Sequence, residues 1–398
     1  MFTGYAQRGI RFREAVGRLA ETVQKRQQPE KTEKKIRLLL TGGGTGGHLF
    51  PAVAAAEQFV KGFPDTEILF VGTKRKMDAG ILAEYGFNSA AVHCYGLKGK
   101  SLLKLVFALV SLPWAYMQSL WLVRRFRPDC ILGVGGYVTG PVIAAGKTLG
   151  VACIIHEQNS LPGLANRQLG RIADRVCLSL PGPEHFFDAK KIVYTGNPVR
   201  ESIRQLAKKT RPGNAEKCCL LVLGGSLGAE ALNRLLPEAA ALLPAAQKAR
   251  LRVIHQTGVE REAGVAEAYK KSGVEALAEP FIKEMAEVYA QADFVVSRAG
   301  ATTLAELSVA GKPAILIPYP YAADNHQKKN AECYVQGKGA LLHVQEQLTP
   351  EKLAIEIERL LVDAKLRDEM SSAMKKLSSP DAAERIVACC LECIQACE

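Results

Sequence analysis

Several signatures that would point quickly to a function are missing from this chain. No GxxxxGK[ST] loop occurs, which removes the phosphate cradle of the P-loop ATPases. His156-Glu157 opens an HExxH pattern, but position 160 is serine, so the paired zinc histidines are not completed. Aromatic-interleaved RNA motifs, zinc-finger spacings and helix-turn-helix signals are also missing, so no nucleic-acid partner is expected. There is no secretory signal at the start, and eleven cysteines in such a chain are expected to be reduced thiols in a cytosol. Four of these, Cys389, Cys390, Cys393 and Cys397, lie close together without histidines or a second CxxC pair. They read as packed thiols rather than a metal site.

What is present is charge and length. The 398 residues carry 52 Lys and Arg against 40 Asp and Glu, a formal net charge of +12, which points to an anionic lipid or a phosphorylated substrate. A hydrophobic content of 48% with 23% charged residues is that of a folded globular chain. Its length exceeds what one core usually serves, so two domains are expected.

Residues 1–34 form a basic extension, with Ile10, Val16, Leu19 and Val23 at roughly helical spacing. It could touch a membrane surface, act as a targeting segment or be a solvated tail. From Lys35 the pattern changes to apolar runs that end in glycine-rich turns and then helix-like periodicity, the signature of βα units on a parallel sheet. Ile36–Leu40 runs into Gly42–Gly47, Ile68–Val71 into Gly72, and Cys130–Leu132 into Gly133, Gly135 and Gly136. Ala152–Ile155 leads to His156-Glu157-Gln158-Asn159. After Gly196-Asn197-Pro198 the scheme restarts with Cys219–Leu223 and Gly224-Gly225-Ser226-Leu227-Gly228. Later units are Phe294–Val296 into Ser297-Arg298-Ala299-Gly300, and Ala314–Ile317 into Pro318. The 182 positions between Gly46 and Gly228 fit one doubly wound domain each. The expected division is an extension over 1–34, Rossmann-like domains over 35–198 and 199–372, and a C-terminal helix over 373–398 that packs back towards the first domain.

Leu105–Val123 carries no formal charge and has the length of a membrane span. Pro113, Ser111, Gln118 and Ser119 interrupt it, and strands resume on both sides. With Trp114 and Trp121, and with Lys98, Lys100, Lys104, Arg124 and Arg125 at its rims, the surface over Leu102–Trp121 reads as an interfacial patch for an anionic membrane surface. A helix buried against the sheet would explain part of the same pattern.

The loop Gly42–Gly47 matches GxGxxG after a strand, which sets backbone N–H groups and a helix N-terminus beside a phosphate. The acid that a dinucleotide site requires at the end of the second strand is missing, since that end reads Phe70-Val71-Gly72-Thr73. The second loop spells GxSxG, and Asp293 and His326 follow in hydrolase order, so a serine hydrolase using Ser226 is a competing reading. A nucleophile elbow needs one continuous sheet, however, and two separate sheets make Ser226 a small hydroxyl in a second phosphate-facing loop.

Two facing Rossmann-like domains with glycine loops at the strand ends enclose a cleft. Six motifs carry a resemblance: Thr41–Pro51, Gly135–Pro141, His156–Asn159, Gly196–Arg200, Gly224–Ala229 and Ala299–Glu306. In this order they resemble the MurG family of glycosyltransferase family 28, the undecaprenyldiphospho-muramoylpentapeptide β-N-acetylglucosaminyltransferases. The resemblance runs from about Ile36 almost to the C-terminus. It implies an α/β GT-B fold, the donor UDP-N-acetylglucosamine, the acceptor lipid I, and work at the cytoplasmic side of a cell membrane. It also implies donor contacts at Thr45, Gly46, Gly47, Asn159, Arg200, Ser226, Ile282, the segment Ala301, Thr302, Thr303, Leu304, Ala305 and Glu306, and Gln327. Glu306 would hold the ribose hydroxyls, although Thr303-x-x-Glu306 is also a literal capping box. No Asp-x-Asp pair occurs, so no metal and no cofactor are expected. His48, at the start of a helix whose positive end disfavours imidazolium, is the candidate general base. The alternatives are another GT-B UDP-sugar enzyme, such as a lipid glucosyltransferase or epimerase, a non-catalytic nucleotide-sugar binder, and the hydrolase.

Overall fold

Every strand pairing among the described residues is parallel, and the strands divide between two sheets. The computed structural model describes residues 35–43, 46–73, 80, 82–94, 102–206, 217–225 and 227–397. The extension 1–34, Thr45, Ser226, Lys98 and Lys100 lie outside the described residues, as do the side chains of Leu103, Lys104 and Phe107.

The first sheet has seven strands in the order β3-β2-β1-β4-β5-β6-β7. These are β1 (Arg37–Thr41), β2 (Glu67–Gly72), β3 (Asn88–Ala91), β4 (Cys130–Gly133), β5 (Ala152–Glu157), β6 (Arg175–Leu178) and β7 (Ile192–Tyr194). The second has six, in the order β10-β9-β8-β11-β12-β13. They are β8 (Cys218–Leu223), β9 (Leu251–Gln256), β10 (Glu275–Glu279), β11 (Phe294–Ser297), β12 (Ala314–Leu316) and β13 (Ala340–Leu342). Both orders reverse direction next to their first strand, between β1 and β4 and between β8 and β11, and that switch point is where an open parallel sheet leaves a crevice for ligand. Helices cover both faces, so the central strands are apolar throughout: Leu38, Leu39, Leu40, Ile131, Leu132, Ile154 and Ile155 are fully buried. The second core is built in the same way from Leu221, Val222, Phe294 and Val295 with Leu232, Tyr269 and Leu353.

The C-terminal helix Ala382–Cys397 packs against β4, β5 and β6 and against the helix Gly46–Gly62. It is apolar on its inner face because cysteines fill it: Cys389 Sγ lies 3.9 Å from Cys177 Sγ, and Cys390 faces Cys130. None of the eleven cysteines is in a disulfide, and no cluster of three or more metal-ligating side chains occurs among the described residues. Contact with Cys130 and burial raise the Cys390 thiol well above its ordinary range, so it packs as a neutral group.

The stretch read as an interfacial patch is a 25-residue helix, Leu102–Phe126, with Pro113 inside it. No helix among the described residues is long and apolar enough to cross a membrane. Ala115, Ser119 and Val123, spaced by four, are buried against the sheet, and the opposite face exposes Trp114, Met117 and Trp121 to 63%, 58% and 58%. Arg125 lies over the Trp121 ring, 5.2 Å from its centroid.

Two buried histidines make stability depend on pH. Burial lowers His156 in β5 to about 4 and His255 in β9 to about 3. In the unfolded chain both titrate near their ordinary value of about 6.5. The unfolded state therefore binds protons that the folded state refuses, and their contribution is complete above about pH 6.5 and is lost as the pH falls towards 4. Urea titrations between pH 7 and 4.5 should show the unfolding free energy declining, and His255→Gln should remove one proton from that slope. An unchanged slope in the variant would mean that His255 is charged in the fold.

Candidate active site

The four loops after β1, β4, β8 and β11 open at the two switch points. Gly136 has φ +92°, and a Cβ there would stand 2.7 Å from the Gly43 carbonyl, so only glycine lets the first two loops meet. Gly228 has φ +74° and lies against the Thr257 backbone, which draws the third loop to the end of β9. Gln256, the last residue of β9, donates to the Gly225 carbonyl at 2.8 Å and accepts from the Ile282 N–H at 3.2 Å. Ile282 is thus held beside the third glycine loop, with its side chain in the core.

Thr302 joins the two halves. Its Oγ1 donates to the Gly47 carbonyl at 2.7 Å and accepts from Asn197 Nδ2 at 3.5 Å. This brings the N-terminus of the helix Ala301–Ala310 to that of the helix Gly46–Gly62, and two positive helix ends side by side suit an anion. The N-cap of the first of these helices is Gly300, with no side-chain cap. The capping-box reading of Thr303-x-x-Glu306 therefore fails: Thr303 lies inside the helix, and Glu306 is spent elsewhere. Leu304, fully buried, is a core residue, and Ala301 and Ala305 are buried beside it.

Glu306 and Arg200 form the central ion pair. Arg200 donates to Glu306 Oε1 from Nε at 3.2 Å and from Nη2 at 2.9 Å, and the Tyr289 hydroxyl donates to Oε2 at 3.1 Å. The Arg200 guanidinium also lies 4.4 Å from the centre of the Phe50 ring. Burial opposes the Arg200 charge, and the Glu306 carboxylate more than offsets it, so Arg200 stays cationic. Burial first and the Glu306 charge second keep Tyr289 protonated and donating. A carboxylate offers about four acceptor positions, and these partners take three. Two residues read from the sequence as separate donor contacts thus occupy one another.

Asn330 ties the loop after β5 to the loop after β11. Fully buried, it accepts from Ser160 N at 2.9 Å and Ser160 Oγ at 3.1 Å, and donates to Asn159 Oδ1 at 3.0 Å and the Ala299 carbonyl at 3.3 Å. Asn159 in turn donates to Glu157 Oε1 at 3.1 Å. One turn before Asn330, Gln327 Oε1 accepts from Tyr319 N at 2.9 Å and Ala299 N at 3.3 Å. The site residues around the cleft that sequence reasoning missed are Asn330, Tyr289, Gln256 and Phe50. Only Asn330 had a signal, since it stands three residues after Gln327 on the same helical face.

His48, in the first turn of Gly46–Gly62, packs its ring on Gly135, where a Cβ would come within 2.9 Å of it. Its pKa is lowered, and burial is the leading cause rather than the helix dipole expected from the sequence; Glu157, Gln158 and the Val134 carbonyl pull the other way. The hydrolase reading does not survive the topology. Asp293 accepts from Cys219 N at 2.7 Å, at the amino end of β8, whereas the GxSxG loop leaves its carboxyl end. Asp293 and the loop are on opposite edges of one sheet.

Two Rossmann-like units with glycine loops and helix N-termini turned to a shared cleft define a nucleotide-sugar enzyme of the GT-B type. Family models match both halves: the glycosyltransferase family 28 N-terminal domain over residues 38–178 and its C-terminal domain over 219–386. The chain belongs to glycosyltransferase family 28, and it is an enzyme of that class. It is 54% identical, over 92% of its length and 98% of the relative's, to the UDP-N-acetylglucosamine--N-acetylmuramyl-(pentapeptide) pyrophosphoryl-undecaprenol N-acetylglucosamine transferase of Desulfotalea psychrophila. The protein of that description from a Geobacter species is 43% identical over 89% of this chain and 95% of its own. The crystal structure of Acinetobacter baumannii MurG superposes with a TM-score of 0.72 at 28% identity, covering 90% of this chain and 100% of that one. A Neisseria meningitidis UDP-GlcNAc 2-epimerase, at 11% identity and a TM-score of 0.64, shares the fold alone.

Removing one partner of a buried ion pair typically costs about 3–5 kcal/mol. Glu306→Gln should therefore lower the melting temperature as well as weaken UDP binding at least about tenfold. Thermal denaturation and UDP titration of Glu306→Gln and of Arg200→Met/Glu306→Gln check this, with the double variant melting higher than the single. A single variant as stable as the parent would show that the pair carries no structural weight.

Proposed function

We propose that this enzyme transfers N-acetylglucosamine from UDP-N-acetylglucosamine to lipid I, undecaprenyl-diphospho-N-acetylmuramoyl-pentapeptide, and so makes lipid II for peptidoglycan at the cytoplasmic face of the cell membrane. The observation that carries this reading is the Thr302–Gly47 contact, which brings two helix N-termini together at the end of the first glycine loop. Relatives over nearly the whole chain that are named for this reaction support it.

The chemistry is a single displacement. The acceptor hydroxyl oxygen attacks the anomeric carbon as the bond from that carbon to the UDP oxygen breaks, and the configuration inverts to β. UDP leaves with the electron pair, and the charge it gains falls to loop N–H groups, the two helix ends and Arg200. Donor binding draws Arg200 from Glu306 towards the diphosphate, which frees the carboxylate for the ribose. Gly46, Gly47, Thr45 and Ser226 border the phosphates, Asn159 and Gln327 the sugar, and Ile282 the base through its backbone. The proton from the acceptor hydroxyl passes to neutral His48.

A base contributes about 10²- to 10⁴-fold. His48→Ala should accordingly lower kcat at least about a hundredfold with the donor dissociation constant nearly unchanged. Because burial holds the His48 pKa below its ordinary value, the parent's kcat should stay level through neutral pH and fall only as the pH drops through a value under about 6.5. A donor panel assayed with a lipid I analogue separates this reading from the epimerase and the glucosyltransferase; turnover of another sugar alone would refute it.

The exposed face of Leu102–Phe126 supports peripheral membrane contact. Trp114, Met117 and Trp121 form an apolar stripe, and Arg124 and Arg125 follow it, each basic residue adding about 1 kcal/mol near an anionic surface. Co-sedimentation with anionic vesicles should be weakened by salt and by Trp114→Ser/Trp121→Ser. Equal binding by that variant, still folded, removes the stripe from the mechanism.

A further inference from the structure

Behind His48 lies a chain of hydrogen bonds whose direction can be read without seeing a hydrogen. It begins at a carbonyl. His156 Nε2 stands 3.1 Å from the Gly196 oxygen, and a carbonyl only accepts, so this nitrogen carries the proton. Ser179 Oγ, 2.8 Å from the same nitrogen, then serves as a second acceptor. Since burial keeps His156 neutral above about pH 4, its Nδ1 is a lone pair. Gln158 Nε2 donates to that lone pair at 3.1 Å and to the Val134 carbonyl at 2.7 Å. Two acceptors on one amide end settle which end of Gln158 is nitrogen. Its Oε1 therefore points away from both.

Gln158 Oε1 and His48 Nδ1 are both buried and have no hydrogen-bond partner among the described residues. They belong to neighbours: Gln158 is bonded to the Val134 carbonyl, and on the next residue, Gly135, the His48 ring packs with Nδ1 at 2.9 Å and Nε2 at 3.6 Å from where a Cβ would stand. On that side of the ring the Val134 carbonyl and Gln158 Oε1 are both acceptors. A lone pair on Nδ1 would face two others in a buried place, whereas a proton there satisfies an orphan on each side. Gly135, which has no side chain, lets the ring sit against the loop in this position.

We propose that Gln158 is a positioning residue which holds neutral His48 as the Nδ1–H tautomer, leaving the Nε2 lone pair to accept the proton of the acceptor hydroxyl. The inference rests on the reading of His48 as the base and adds how that base is aimed. A free imidazole divides its proton between two nitrogens; here Gly196, His156 and Gln158 impose one answer in sequence, each bond fixing the next. The charged and titratable groups that face His48 are Glu157 and His156 on the β5 side and His326 at the start of the helix His326–Gln336. Glu157 favours the imidazolium and His326 opposes it. Gln158, being neutral, selects a tautomer without adding charge.

The test is a long-range ¹H–¹⁵N spectrum of the full chain labelled in its seven histidines, with His48 identified by its loss in His48→Gln. At pH 7.5 the expected signals are a protonated Nδ1 and an unprotonated Nε2. A protonated Nε2, or an imidazolium at that pH, overturns the proposal. Two variants add kinetic readouts. Gln158→Met, which cannot accept at Nδ1, should lower kcat about tenfold or more with UDP affinity within threefold of the parent's. Gln158→Glu places a carboxylate on the ring and should move the acid limb of the kcat profile up by about one pH unit or more. A Gln158→Glu profile with its limb unmoved counts against the proposal. Should either variant fold poorly, the spectrum of the parent still decides. The two readings fail separately: a parent that transfers N-acetylglucosamine with His48 protonated on Nε2 refutes only the tautomer, and one that shows the Nδ1–H form but transfers no sugar refutes only the function.

Discussion

Parallel pairing of every strand imposes a direction on the whole molecule. Each strand is followed by a loop at the same edge of its sheet, each helix that begins there turns its N–H groups towards that edge, and the reversal of strand order opens a gap between neighbouring loops. Two such sheets, with those edges turned towards each other, concentrate positive helix ends at one place without the need for many charged side chains. The GxSxG motif shows the force of this constraint. Asp293 enters β11 at the amino edge and the serine loop leaves β8 at the carboxyl edge, and no side-chain rotation brings them together.

Small polar side chains hold the halves in register. Thr302 on the Gly47 carbonyl and Asn330 on Ser160 and Asn159 are neutral contacts, fully formed within the cleft walls. Arg200 and Glu306 add a charged contact, and there the charge is buried and paired. A neutral clasp costs little to desolvate, while a buried ion pair responds sharply to anything that competes for either partner. In the reaction proposed for this enzyme, a phosphate and a ribose would offer that competition to Arg200 and Glu306 respectively.

The strongest strands were legible as apolar runs, because a strand buried on both faces has no polar alternative: Leu38–Leu40, Ile131–Leu132 and Leu220–Leu223 announce themselves. Strands that went unread had physical reasons to be obscure. Asn88–Ala91 is a short edge strand, three of whose four residues are exposed, and Leu251–Gln256 ends in His255 and Gln256, which are buried only because each has a partner. The glycine loops and Glu306 were likewise visible as motifs. That Arg200 and Glu306 occupy one another's hydrogen bonds was not, since the two are 106 positions apart.

The sequence by itself determined that there would be two Rossmann-like α/β units, where their glycine loops lie and which family they resemble, because these depend on local patterns of apolar runs and glycine turns. Only the tertiary structure decided that Glu306 is bound to Arg200 and Tyr289, that Asn330 rather than a charge bridges the loops, and that burial rather than a helix end is the leading cause of the lowered His48 pKa. Those outcomes depend on desolvation and on partners drawn from distant segments. A side chain's protonation and direction follow from what surrounds it in space, and that is set only when the two sheets and their loops have closed on each other.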